Sequence, residues 1–160
     1  MRTVVLVCSA ASAQAATADE SQHNWPTVPE MLAYDDPDVR LFGEVSACAG
    51  ATMEPALASK MFAEAGWAAE IGDPAYSEFI SGEDRVFFAK AGGTCRFETM
   101  HISTKEVANI VGPSTGTNAE GCDIYDLGEG VTLTVTPPGP DPVCQSETGA
   151  ALRFDRPVKV

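Results

Sequence analysis

Beyond residue 20 the chain carries four cysteines, Cys48, Cys95, Cys122 and Cys144, and no C-x-x-C. Without that spacing neither a zinc knuckle nor a thioredoxin-like redox pair is supported. An even number of separated cysteines in an exported chain reads as two disulfides, because compartments beyond the inner membrane are oxidising. Four cysteines allow three pairings. The short step from Cys122 to Cys144 spans a stretch that reads as a β-meander, which pairs those two and leaves Cys48 with Cys95. Closing loops of this size stabilises a fold by roughly 3 to 4 kcal/mol each on the chain-entropy model. Any fold the chain adopts must therefore bring residue 48 against residue 95.

The disulfide reading depends on export, and the first residues supply that expectation. MRTVVLVCSAASAQAATADE sets one arginine before an apolar and small-residue run that stays uncharged to Asp19. That order matches a secretory signal peptide at 1–18, with Ala13-Gln14-Ala15 and Ala16-Thr17-Ala18 as cleavage sites after Ala15 or Ala18. A spanning helix needs about 20 predominantly apolar residues, and this run weakens to Ser, Gln and Thr within about ten. Cys8 leaves with the leader, since Val7 stands where lipid attachment would want a small residue. The expectation is a single α+β domain over 19–160, periplasmic or extracellular, with no membrane insertion after cleavage.

Charge narrows the partners. Asp plus Glu number 23 against 10 Lys plus Arg, a net of −13. Such a surface repels nucleic acid phosphates and anionic headgroups and attracts a basic protein or peptide. It also serves simple solubility.

Local signals give a coarse map. Thr27 with Glu30 resembles a capping box for a short turn at 29–33. Asp36, Pro37 and Asp38 start a helix whose apolar stripe reads Val39, Phe42, Val45 and Ala49. Thr52 caps the next, with Pro55 in its first turn, Leu57, Met61 and Ala65 on one face, and Gly66 at its end. Short β segments follow at 67–71 and 75–80. RVFFAK and CRFETM then form a hairpin about Gly92-Gly93. Ser103 and Glu106 make a capping box for a helix that Gly112 closes and Pro113 stops. PSTGTNAEG reads as a loop, CDIYDL, VTLTVT and VCQSE as strands, TPPGPDP as a stiff connection, and ALRFD as a last edge strand. The fold class is α+β, two or three helices on a mainly antiparallel sheet closed by two disulfides. A shared C-x-x-E-T ending points to two helix-plus-hairpin halves, 50–99 and 103–148.

The chemistry-bearing residues can be weighed against this map. TCRFETMHISTKE puts Cys95, Glu98 and His101 within seven residues. In an extended strand Cys95 and His101 share a face but stand roughly 20 Å apart, and Glu98 points away from both. A nucleophile and its base must approach to about 3 Å, so no local catalytic pair forms. Cys95 is half a disulfide and His101 a polar residue at a strand end. His23 lies in the polar lead-in. Asp35, Asp36 and Asp38 lack the alternating ligands of an EF-hand loop and are explained by helix capping. Asp123, Asp126 and Glu129 are the better calcium candidates, yet such clusters are usually turn residues. No metal ligand, cofactor or catalytic residue is assigned. S-x-x-K, a Walker loop and a G-x-G-x-x-G after a strand are absent.

One hint of a contact surface remains. Trp25, Trp67, Phe87, Phe88 and Phe97 are expected mostly in the core, but Phe87 and Phe88 must face opposite sides of their strand. If one side of the sheet is left uncovered, one of these two phenylalanines is displayed. The functional expectation is a non-enzymatic binding or inhibitory module of the cell envelope. The alternatives are a hydrolase assembled around His101 from sequence-distant residues, and a structural accessory subunit of an envelope complex. A concave pocket joining His101 to a carboxylate or hydroxyl favours the enzyme, and a flatter apolar and acidic surface favours binding.

Overall fold

The computed structural model describes residues 25–139 and 144–157. The leader and its cleavage sites lie outside the described residues, as does His23. Helix starts follow local capping chemistry. Before α1 (Val28–Leu32), the Thr27 N–H and hydroxyl both donate to Glu30 Oε2, at 2.7 and 2.8 Å. Asp36 Oδ1 accepts from the backbone of Asp38 and Val39 at the head of α2 (Pro37–Ala51), at 3.0 and 3.2 Å. Ser103 and Glu106 form the reciprocal capping box of α4 (Thr104–Val111), which ends at Gly112 with φ 102°. The start of α3 (Pro55–Glu64) differs from expectation: its N-cap is Glu54. Thr52 instead closes α2, its hydroxyl donating to Ala49 O at 2.7 Å. Thr52 O accepts from Gly93 N at 2.8 Å, so the β-hairpin tip docks on the end of α2. A Cβ built at Gly92 would stand 2.9 Å from Thr52 O, which is why this tip needs glycine.

The strands are β1 (Ala68–Glu70), β2 (Tyr76–Ser81), β3 (Asp84–Ala89), β4 (Thr94–Thr99), β5 (Gly116–Thr117), β6 (Asp123–Asp126), β7 (Thr132–Thr136) and β8 (Ala150–Asp155). All pair antiparallel in one eight-stranded sheet of order β1-β2-β3-β4-β8-β7-β6-β5. Thus α3 leads into one meander, β1 to β4, and α4 into a second, β5 to β8. The two meanders join through their last strands.

Several local expectations are corrected here. The Cys144–Thr148 stretch carries no strand, and the strand that closes the second meander is β8. β8 is no edge: it lies between β4 and β7, with Ala150, Ala151, Leu152 and Phe154 fully buried. Neighbours on both edges give its backbone N–H and C=O groups partners and shield the small Ala150 and Ala151 between them. The 113–121 loop contains the two-residue β5. Trp25 is 83% exposed rather than in the core.

All helix packing falls on one face of the sheet. α2 crosses β3, β4 and β8, α1 and α3 pack on α2, and α4 covers β7 and β8. The buried face of α2 is Leu41, Glu44, Cys48 and Ala51, while Phe42, assigned to the core from sequence, is half exposed. In α3 the buried residues are Ala58 and Phe62, not Leu57. Beneath them Phe62 lies 5.1 Å from Trp67, 5.5 Å from Phe79 and 6.2 Å from Phe88 between ring centroids. Gly43 lets α1 approach α2, since a Cβ there would meet Leu32 N at 2.9 Å.

Both disulfides pair as the spacing implied. Cys48 of α2 joins Cys95 of β4 with Cα atoms 5.5 Å apart, wholly inside the core. Cys122 joins Cys144 with Cα atoms 4.8 Å apart and ties the long β7–β8 connection to the start of β6. Two such bonds point to a non-cytoplasmic location. No helix among the described residues is long and apolar enough to cross a membrane.

Candidate functional site

With the helices on one side, strand alternation sends every second side chain to an uncovered face. Phe88 is fully buried under the helices, and Phe87 stands half-buried on the other side. Register assembles a straight row across that open face: Glu78, Phe87, Arg96, Arg153, Thr134 and Ile124, each the cross-strand partner of the next. Around its centre lies a groove of about 540 Å³. Tyr76, Phe87, Arg96 and Arg153 line it, with Asp73, Glu78 and Asp155. Aromatic and arginine side chains, types enriched at protein interfaces in general, thus share a shallow concavity with three carboxylates.

The groove's electrostatics are uneven. Arg96 pairs with Glu98 on its own strand, and Arg85 lies 3.9 Å from Glu78. Arg153 donates through Nε to Thr136 Oγ1 and through Nη2 to Gly139 O, each at 3.3 Å. Burial, and then the neighbouring Arg96, hold the Arg153 guanidinium below its ordinary value. Arg96 Nε is buried without a hydrogen-bond partner among the described residues.

His101 sits elsewhere, at the mouth of a cavity of about 330 Å³ between the start of α2 and the end of β4. Its other walls include Asp35, Arg40, Glu44, Asp84 and Thr99. Arg40 joins the two buried carboxylates, Nε reaching Glu44 Oε1 at 3.0 Å and Nη2 reaching Asp84 Oδ2 at 2.8 Å. It also donates to Ser81 O at 3.3 Å and stacks 5.0 Å over the Trp67 ring. Glu44 is pushed up to about 8, by burial first and by Asp84 second, against the pull of Arg40. Asp84 Oδ1 is buried with no hydrogen-bond partner among the described residues. The cavity thus brings His101 near carboxylates, as the enzyme alternative requires. Its catalytic geometry is incomplete, because the His101 ring is 56% exposed and the carboxylate beside it is the exposed Glu83, 3.6 Å away. Thr99 Oγ1 accepts from the His101 backbone at 3.2 Å and holds the bend after β4.

The remaining sequence candidates resolve into structural roles. Cys95 is a disulfide half, and Glu98 lies on the opposite face. Asp126 Oδ1 accepts from Gly128 N at 2.9 Å, a turn contact. No group of three His, Cys, Asp or Glu suited to a metal occurs among the described residues. One motif escapes the sequence reading: Gly112-Pro113-Ser114-Thr115-Gly116 spells G-x-S-x-G. A nucleophile elbow needs a strand-to-helix turn, whereas Ser114 follows α4 and precedes β5 in an exposed loop. Glu44, Arg40 and Asp84 were invisible as a group, since α2 and β3 meet only in the fold. Comparison with protein-family models, curated proteins and solved structures finds no match.

Proposed function

We propose that the protein is an exported, non-enzymatic binding module of the periplasm or extracellular space, and that the open face of its sheet docks a protein of net positive charge. The observation that carries this reading is the row from Glu78 to Ile124 with its groove: an uncovered face set with Tyr76, Phe87, Arg96 and Arg153. The net charge of −13 supplies long-range attraction for a basic partner, and the aromatic and arginine side chains supply the short-range contact. Two disulfides keep the sheet rigid outside the cytoplasm.

A photo-crosslinking residue at position 76, compared with one at Phe42 on the helix side, tests this in envelope and medium fractions of the source cells. A single basic protein captured from position 76 and not from 42, and lost at high salt, is the expected result. Equal capture from both positions, or none from position 76 at any salt, refutes it.

A second reading, acid–base chemistry in the His101 cavity, is favoured by one observation, the carboxyl of Glu44 held protonated at neutral pH. It predicts a hydrolytic activity abolished by both Glu44→Gln and His101→Ala. A screen of ester, amide and glycoside substrates that shows no difference between these variants and the parent protein removes it.

A further inference from the structure

The groove holds a feature that docking by net charge alone leaves unused. Arg96 and Arg153 are directly opposite one another on β4 and β8 and project to the same open face. Like charges directly opposite across antiparallel strands repel. The sheet neutralises this pair only in part: Arg96 pairs with Glu98, and Glu98 and Asp155 act on Arg153 from nearby, but the hydrogen bonds of Arg153 go to neutral atoms of Thr136 and Gly139 and it makes no ion pair among the described residues. Two planar guanidiniums at the floor of a groove, with donors left over, form a fork that matches a carboxylate.

From this we propose that Arg96 and Arg153 together receive one carboxylate, the side chain of an Asp or Glu at the tip of a partner protein's loop, with Tyr76 and Phe87 enclosing it. The inference rests on the docking reading for the carrier of that carboxylate. The carrier is a protein rather than a free anion, because a basic protein is drawn to a chain of net charge −13 and holds its carboxylate at the groove, whereas a free carboxylate fits the same fork but binds it only weakly. The partner surface it specifies is an acidic residue ringed by basic ones: the ring meets Glu78, Glu98 and Asp155, and the centre meets the two arginines.

The test uses the intact protein with acetate as the probe, read by the Nε–H signals of its arginines in nitrogen-15 NMR. Titration with sodium acetate is compared with sodium chloride at equal ionic strength. A saturable shift of Arg96 and Arg153 with acetate, absent with chloride and lost in Arg153→Gln, supports the proposal. Arg153→Lys, which keeps the charge and removes the fork, should weaken the response. Matching shifts with both salts overturn it, and this comparison needs no variant to fold. Asp141 lies two residues along the chain from Gly139, so Asp141→Asn separates an internal carboxylate from an external one. An unchanged titration in that variant agrees with the proposal, and a response appearing only there contradicts it. Because acetate binding is read without any partner, its failure is distinct from a failure of crosslinking at position 76.

Discussion

The two faces of the sheet are made by the same strands and carry opposite chemistry. Toward the helices lie Val86, Phe88, Phe97, Leu133, Leu152 and Phe154, each fully buried. Toward the open side, from the same strands, come Arg85, Phe87, Arg96, Thr134 and Arg153. The covered face resembles the interior of any small domain, in which hydrophobic burial is the dominant favourable term. The open face contributes little to that burial and is free to be shaped by contact with something else. Strand alternation therefore sorts the residues by side, the core on one face and aromatic and charged side chains on the other.

The predictions test that division in order of expected effect. Phe62→Ala removes the ring that touches Trp67, Phe79 and Phe88, and should cost about 3–5 kcal/mol in urea unfolding. A loss below about 1 kcal/mol would mean that the covered face is not the core. Replacing Cys48 and Cys95 together with alanine should cost about 2–5 kcal/mol. The same change at Cys122 and Cys144 should cost less, since it opens a separation of 22 rather than 47 residues and no core-spanning link. Equal losses would deny the difference between a bond buried under α2 and one that fastens a surface connection.

Glu44 probes the covered face where it is least hydrophobic. Its carboxyl keeps its proton in the folded protein to about 8, whereas the unfolded chain releases it near the ordinary glutamate value of 4.5. Between these values the folded state holds more protons, so this contribution is complete below the lower value and is lost as pH rises through the upper. Glu44→Gln has no proton to lose. Its stability relative to the parent should rise with pH, by on the order of 4 kcal/mol between about pH 5 and 9. Thermal unfolding of both proteins across that range measures it, and parallel curves would show that Arg40 keeps Glu44 ionised throughout.

Local features were legible in the sequence because their physics is local. Asp36, the Ser103–Glu106 box and Gly66 place helix ends through hydrogen bonds and backbone angles within one turn. Gly92-Gly93 marks a hairpin for the same reason, and the short step across β segments from Cys122 to Cys144 selected one disulfide and, by elimination, the other. Non-local features were not legible. The inward face of α2 contains Glu44, a residue whose burial makes sense only once Arg40 reaches Asp84 on β3. ALRFD reads as an edge because nothing nearby pairs with it on two sides, yet β4 lies far upstream in the chain. The Arg96–Arg153 pair depends on that same crossing of the chain. By contrast Phe87-Phe88 announced a two-faced sheet, since adjacent residues on a strand cannot share a side.

That dipeptide gives the most direct measurement: melting temperature and crosslinked-partner yield for Phe87→Ala and Phe88→Ala, side by side. The account predicts that Phe88→Ala lowers the melting temperature sharply while its folded fraction still binds, and that Phe87→Ala leaves melting nearly unchanged and loses the partner. Similar melting losses in both variants, or a partner retained by Phe87→Ala, would contradict it.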